Sequence, residues 1–171
     1  MALLITGPPG VGKTTVIRAV ASRLAGARLG GFFTQEMRSR GVRSGFQLVT
    51  FDGQRAVLAR VDRRGGPRVG KYGVDASVLE ITARTSLLVN QGIDVYLVDE
   101  IGKMECLSLG FVAAMRELLD SGRPVVATIG ERGGGFIAEV KRRPDVTLWR
   151  LTRDNRDAVP ARILTWLRDR G

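Results

Sequence analysis

The chain has 171 residues, enough to bury one sizeable core and within the range of a single domain, and its 44% apolar and 26% charged residues exclude a disordered composition. With 27 Lys and Arg against 17 Asp and Glu the formal charge is +10, which favours polyanions (nucleotides, RNA and DNA) through long-range attraction and counterion release. One cysteine, Cys106, excludes an internal disulfide, and the absence of histidine excludes a Cys-His catalytic pair and the commonest zinc sites.

No apolar run approaches the roughly 20 residues of a membrane-spanning helix. Met1 to Thr6 is short, lacks a basic flank and runs into a glycine-rich motif, unlike a signal peptide, so a cytoplasmic protein of one domain over residues 1–171 is expected. Almost all the positive charge is arginine, lysine occurring only at 13, 71, 103 and 141. Arginine's fork suits phosphate, but the scatter of arginines along the chain equally fits a GC-rich or heat-adapted source.

Ala2 to Ile5 reads as a buried strand, and after a loop Val16, Ile17, Val20 and Leu24 recur at helical spacing. Gly30 and Gly31 break the pattern. Phe32 to Thr34 and Phe46 to Phe51 then read as strands joined by the arginine- and glycine-rich segment Met37 to Gly45, with a third strand at Ala56 to Val61. Such short connections imply antiparallel neighbours, expected as an extension on one side of the main sheet. Gly65 to Gly73 reads as an exposed loop. A helix over Ala76 to Gln91 precedes the buried strand Val95 to Val98, with Asp99 and Glu100 at its carboxyl end. Ser108 is a candidate cap for a helix carrying Phe111, Met115, Leu118 and Leu119, stopped by Gly122 and Pro124. A strand over Val125 to Ile129, the glycine-rich stretch Gly130 to Gly135, a short helix around Phe136 to Arg142, a strand over Val146 to Leu151 and a last helix with Val159, Ile163, Leu164 and Leu167 inward complete the chain. The βα alternation calls for an α/β fold, a mainly parallel sheet with helices on both faces.

Gly7-Pro8-Pro9-Gly10-Val11-Gly12-Lys13-Thr14 places two glycines five apart before lysine and a hydroxyl residue, after a strand and before a helix: the P-loop, or Walker A, pattern. The glycines let backbone N–H groups close around phosphate oxygens, aided by the positive end of the following helix. Lys13 supplies a cation to the terminal phosphates, Thr14 a hydroxyl to a magnesium ion bound between them, and Thr15 completes the nucleotide-binding run. Asp99, at the end of an apolar strand, is the candidate second carrier of the magnesium. Glu100 is the candidate base that orients and deprotonates an attacking water, with Lys13 as its catalytic partner.

Lys103, Arg132, Arg38 and Arg43 lie in or beside loops where a cation can stabilise the transferred phosphoryl group; each also fits a solvated surface charge. Thr128 is either a sensor of the terminal phosphate or a core-facing threonine. Asn155 and Arg156 either touch the base or ribose or, for the asparagine, cap a helix.

Gly7 to Thr14, Gly31-Phe32-Phe33-Thr34-Gln35-Glu36, Gly70-Lys71-Tyr72-Gly73-Val74-Asp75, Val98-Asp99-Glu100-Ile101-Gly102-Lys103-Met104-Glu105 and Arg153-Asp154-Asn155-Arg156-Asp157 occur together in this order. In these runs the sequence resembles the small P-loop nucleoside-triphosphatase family of thermophilic prokaryotes, to which a human cancer-related nucleoside-triphosphatase is related. The resemblance implies slow, magnesium-dependent hydrolysis of ATP, GTP and other triphosphates to diphosphate and phosphate, on a RecA-like or kinase-like sheet. Gly130 to Gly135 stands where relatives often carry histidine or lysine. Two other functions use the same features. A nucleotide or nucleoside kinase shares the site, although no arginine-dense lid is seen between the late helices. A nucleotide-gated nucleic-acid binder would use the +10 charge. No Asn-Lys-x-Asp guanine motif is present, and a monomer is the simplest assembly.

Overall fold

The computed structural model describes residues 2–169. Met1, Arg170 and Gly171, the ends of the expected 1–171 domain, lie outside the described residues. One nine-stranded sheet runs through the molecule, formed by β1 (Ala2–Thr6), β2 (Leu29–Ser39), β3 (Val42–Thr50), β4 (Arg55–Arg60), β5 (Arg68–Val69), β6 (Tyr72–Val74), β7 (Val95–Ile101), β8 (Val125–Ile129) and β9 (Val146–Arg150). Their order across the sheet is β5-β6-β4-β3-β2-β7-β8-β1-β9. The five strands from β2 to β9 pair in parallel and the others antiparallel.

Alternation along the parallel strands divides the core between the two faces of the sheet. Leu4, Tyr96, Val98, Val125 and Ala127 point to one face, where α2 (Ala76–Thr85), α3 (Leu109–Asp120) and α4 (Gly135–Lys141) cover them. Leu3, Ile5, Val95, Leu97 and Val126 point to the other, beneath α1 (Lys13–Arg23) and α5 (Val159–Arg168). Both faces of β1 and β8 are therefore apolar, which is why these strands read as continuous hydrophobic runs. Ser108 caps α3 as expected, its hydroxyl accepting the Phe111 N–H at 2.9 Å. Among the described residues no helix is long and apolar enough to cross a membrane.

Several boundaries differ from the sequence reading. Met37 to Gly45 is mostly strand: β2 and β3 continue through it as a long hairpin that turns at Arg40 and Gly41, both at positive φ. Gly30 and Gly31 lie within β2, whose first residues Leu29–Phe32 pair in parallel with β7, so β2 belongs to the central sheet as well as to its antiparallel extension. Gly65 to Gly73 contains the two-residue strand β5 and the start of β6. The helix expected to Gln91 stops at Thr85, and Leu87 is buried from the following coil, where the Tyr96 hydroxyl donates to the Leu88 carbonyl at 2.6 Å. Among the last helix's expected inward residues, Val159 and Ile163 are buried, as is Trp166, while Leu164 and Leu167 are half-buried.

Candidate functional site

Because β2, β7, β8, β1 and β9 run parallel, their carboxyl ends share one edge, the usual ligand edge of an open α/β sheet. The phosphate loop leaves β1 there. Gly10 and Gly12 adopt φ of 78° and 111°, in the region that favours glycine. Gly7 is held so close that a Cβ would stand 2.7 Å from the Leu151 carbonyl oxygen. Val11 is buried under the loop, while Pro8, Pro9 and Gly10 form its exposed rim. Gly12 caps α1 without a side-chain acceptor, which leaves the first-turn N–H groups to an anion. Lys13 arches back to donate to the Gly7 carbonyl at 3.0 Å. Thr15 is exposed on α1.

Asp99 is the junction of the site. Only 2% exposed, it accepts the Thr14 hydroxyl on Oδ2 at 2.6 Å and the Thr128 hydroxyl on Oδ1 at 2.6 Å. The Thr34 hydroxyl and N–H approach Oδ2 at 3.3 and 3.4 Å. Thr128 is therefore a core threonine that orients Asp99. Thr34 carried no assigned role in the sequence reading; its proximity to Asp99 follows from the β2–β7 pairing, which joins residues far apart in sequence. Thr14 and Asp99 supply a hydroxyl and a carboxylate at one point, hard oxygen donors suited to a divalent cation. Among the described residues no group of three or more His, Cys, Asp or Glu could hold a metal, so phosphate and water oxygens would fill the remaining positions, as at nucleotide-bound magnesium.

Glu100 Oε2 lies 3.6 Å from Lys13 Nζ. Burial raises the Glu100 carboxyl above its ordinary range, opposed by the charge of Lys13 and reinforced by that of Asp99. Beyond it stands Glu105, in a 3-10 turn over Glu105–Leu107 and 5% exposed. Burial, then the charge of Glu100, pushes the Glu105 carboxyl up to about 8. Its sequence signal was the apolar setting of Met104, Cys106 and Leu107. The Cys106 thiol is likewise pushed up to about 12, chiefly by burial, and so is a poor nucleophile.

Glu105 predicts an unusual pH dependence. Its folded value lies above the ordinary 4.5, so folding takes up a proton in between. The stability this gives is full below 4.5, falls by about 1.4 kcal/mol per pH unit as pH rises, and levels off above about 8. No histidine titrates in that window. Urea denaturation at about pH 5 and about pH 8 should show the loss in the wild type, and Glu105→Gln should reduce it, leaving the smaller part that the raised Glu100 carboxyl contributes.

The remaining candidates separate. Arg156 comes to the loop, its Cδ 3.7 Å from where a Cβ on Gly12 would lie. Asn155 is occupied by the backbone: Oδ1 accepts the Thr152 N–H at 2.9 Å and Nδ2 donates to the Arg150 carbonyl at 3.0 Å. It does not cap the following helix either: α5 begins after Ala158 with no side-chain cap. Lys103 and Arg132 are exposed on the loops after β7 and β8. Among the described residues neither is held against Lys13, Asp99 or Glu100. Arg38 and Arg43 both pair with Glu36 within the β2–β3 hairpin. Other arginines form local pairs, as in Arg28–Asp94, Arg60–Asp62, Arg116–Glu139 and Arg143–Asp145, which disperses the positive charge over the surface. Beside the loop, Pro8, Pro9, Gly10, Val11, Arg150, Leu151, Thr152 and Arg153 line a cleft of about 330 Å³.

A glycine cradle at one strand end, with an acidic pair two strands away on the same sheet edge, is the arrangement of P-loop nucleotide-binding proteins. The chain belongs to the NTPase family, which it matches over residues 2–164. It is 43% identical to the nucleoside-triphosphatase THEP1 of Thermotoga sp. (strain RQ2), over 98% of this chain and 96% of that protein. It is 39% identical to the mouse cancer-related nucleoside-triphosphatase homolog, over 92% of this chain and 91% of that protein. The crystal structure of THEP1 from Aquifex aeolicus superposes with a TM-score of 0.83 at 35% identity, covering 98% of this chain and 99% of that one. The solution structure of a human cancer-related nucleoside triphosphatase gives 0.81 at 35% identity, covering 98% and 97%.

Proposed function

We propose that this protein hydrolyses nucleoside triphosphates to diphosphate and phosphate, with magnesium as its cation and one catalytic domain over the whole chain. The observation that carries this reading is the convergence of Thr14 with Asp99 at 2.6 Å and of Lys13 with Glu100 at 3.6 Å. The loop N–H groups and Lys13 hold the β- and γ-phosphates. Bound magnesium would neutralise charge on the phosphate oxygens, with Thr14 and Asp99 as its protein ligands. Glu100 orients water toward the γ-phosphorus and takes its proton, and Arg156 supplies positive charge over the loop. With Asn155 tied to the backbone, the cleft beside the loop holds a base without that side chain reading its edge, which supports broad base use.

Phosphate release from ATP, GTP, CTP and UTP tests the reading, measured without any acceptor nucleotide and with magnesium or a chelator. Release from several triphosphates, abolished by the chelator, is expected. A rate of zero until a nucleoside or monophosphate is added would sink it. Thr128→Val, which removes the hydroxyl on Asp99 Oδ1, should raise the magnesium concentration for half-maximal rate roughly tenfold, as for the loss of a hydrogen bond to a charged group.

A further inference from the structure

We propose that Glu105 is a positioning residue for Glu100: its buried carboxyl, standing across Gly102 from the Glu100 carboxylate, fixes the direction in which Glu100 presents its oxygens to water. The inference rests on the hydrolytic reading of the site. A Cβ placed on Gly102 would lie 2.8 Å from Glu105 Oε2 and 2.9 Å from Glu100 Oε1, so the two carboxyl groups close on the same small space beside Gly102. The turn that carries Glu105 is fixed to the end of β7: the Cys106 N–H donates to the Gly102 carbonyl at 3.0 Å and the Ser108 N–H to the Glu105 carbonyl at 3.1 Å. The Glu105 side chain itself is enclosed, the residue being only 5% exposed. Glu105 thus sits buried on a fixed turn, whereas the Glu100 side chain is half-buried, with Lys13 as its ion-pair partner.

Stability does not account for a glutamate here. Burying a carboxyl among Met104, Cys106 and the α3 side chains costs more than burying leucine of similar size, and such exchanges are commonly neutral or stabilising. Two carboxylates in one pocket do not both ionise readily, and Glu105 is the more buried of the two. A neutral Glu105 adds no second charge and brings one O–H donor to an acceptor carboxylate. A general base works only when its oxygens meet the attacking water within hydrogen-bond reach, and small misplacements are costly.

The test measures kcat and KM for ATP hydrolysis with magnesium, in the full chain, for wild type, Glu100→Gln, Glu105→Leu and Glu105→Gln. Glu105→Leu should lower kcat about tenfold or more at unchanged KM, and Glu105→Gln, neutral and still a donor, should restore most of that loss. Thermal denaturation establishes that each variant is folded; if Glu105→Leu is not, Glu105→Asp, which withdraws the acid by one methylene, takes its place. Infrared difference spectra at neutral pH should show a protonated-carboxyl band in the wild type that Glu105→Gln lacks. Wild-type kcat in a folded Glu105→Leu, a Glu105→Gln as slow as the leucine variant, a loss confined to KM, or no such infrared band each overturn the inference. If Glu100→Gln abolishes hydrolysis while Glu105→Leu leaves it intact, this inference alone falls; a wild type that releases no phosphate removes the hydrolytic reading and this with it.

Discussion

Replacing Glu100 with glutamine is expected to lower kcat by roughly two to four orders of magnitude, the usual contribution of a positioned general base, while triphosphate affinity stays within about twofold. Glutamine keeps the volume and the acceptor oxygen of glutamate but cannot take a proton. The Glu100 side chain is 32% exposed, open enough to meet water, and its oxygen is 3.6 Å from Nζ of Lys13, the cation proposed for the terminal phosphate. The groups proposed to hold phosphate and cation, namely the loop N–H donors, Lys13, Thr14 and Asp99, are untouched. Single-turnover phosphate release and titration with a fluorescent triphosphate analogue separate the two quantities. Hydrolysis at the wild-type rate with normal binding would remove Glu100 from the mechanism and leave solvent or another residue as proton acceptor.

Gly31→Ala should cost the fold at least about 3 kcal/mol, the positive φ and the overlap adding together. Gly31 sits within β2 at φ 92°, where L residues are strained. A Cβ would also overlap the Leu97 carbonyl oxygen of the neighbouring strand. The backbone there is committed on both sides, the Gly31 N–H donating to the Ser86 carbonyl at 2.8 Å and its carbonyl accepting the Phe51 N–H at 3.3 Å. It cannot move aside without disturbing the β2–β7 pairing that brings Thr34 to Asp99. A lowered midpoint in urea, with nucleotide affinity reduced in the same proportion as the folded fraction, would show this; a wild-type midpoint would refute it.

Gly31 also shows why part of the fold was hidden in the sequence. Two adjacent glycines read as a break, because a sequence records their freedom but not the neighbouring carbonyl that demands it. Met37 to Gly45 misled for a related reason: arginine, serine and glycine are poor strand formers, yet the hairpin pairs them from Met37–Gly45 to Ser39–Val42, with a shift of register between Met37 and Arg38. Leu87 and Leu88 extended an apparent helix because periodicity cannot tell a buried coil from another turn of helix. By contrast, the strand Val125 to Ile129 emerged at its expected bounds, since a central parallel strand is apolar on both faces. The phosphate loop and the Asp99-Glu100 pair were legible because their chemistry is written in contiguous residues. Thr34 and Glu105 were not: one depends on which strands pair, the other on a turn folding back onto Gly102.

Asp99 ties together residues 85, 65 and 29 positions away, on α1, β2 and β8. Contacts of such long range carry the largest loop-closure cost and form late in folding. The Asp99 junction is therefore not a local motif that a fragment can preassemble; it comes into being with the central sheet. A triphosphate and its metal, binding only the finished molecule, draw the whole folding equilibrium toward completion, so protection by nucleotide reports on the entire sheet and not on the loop that touches it.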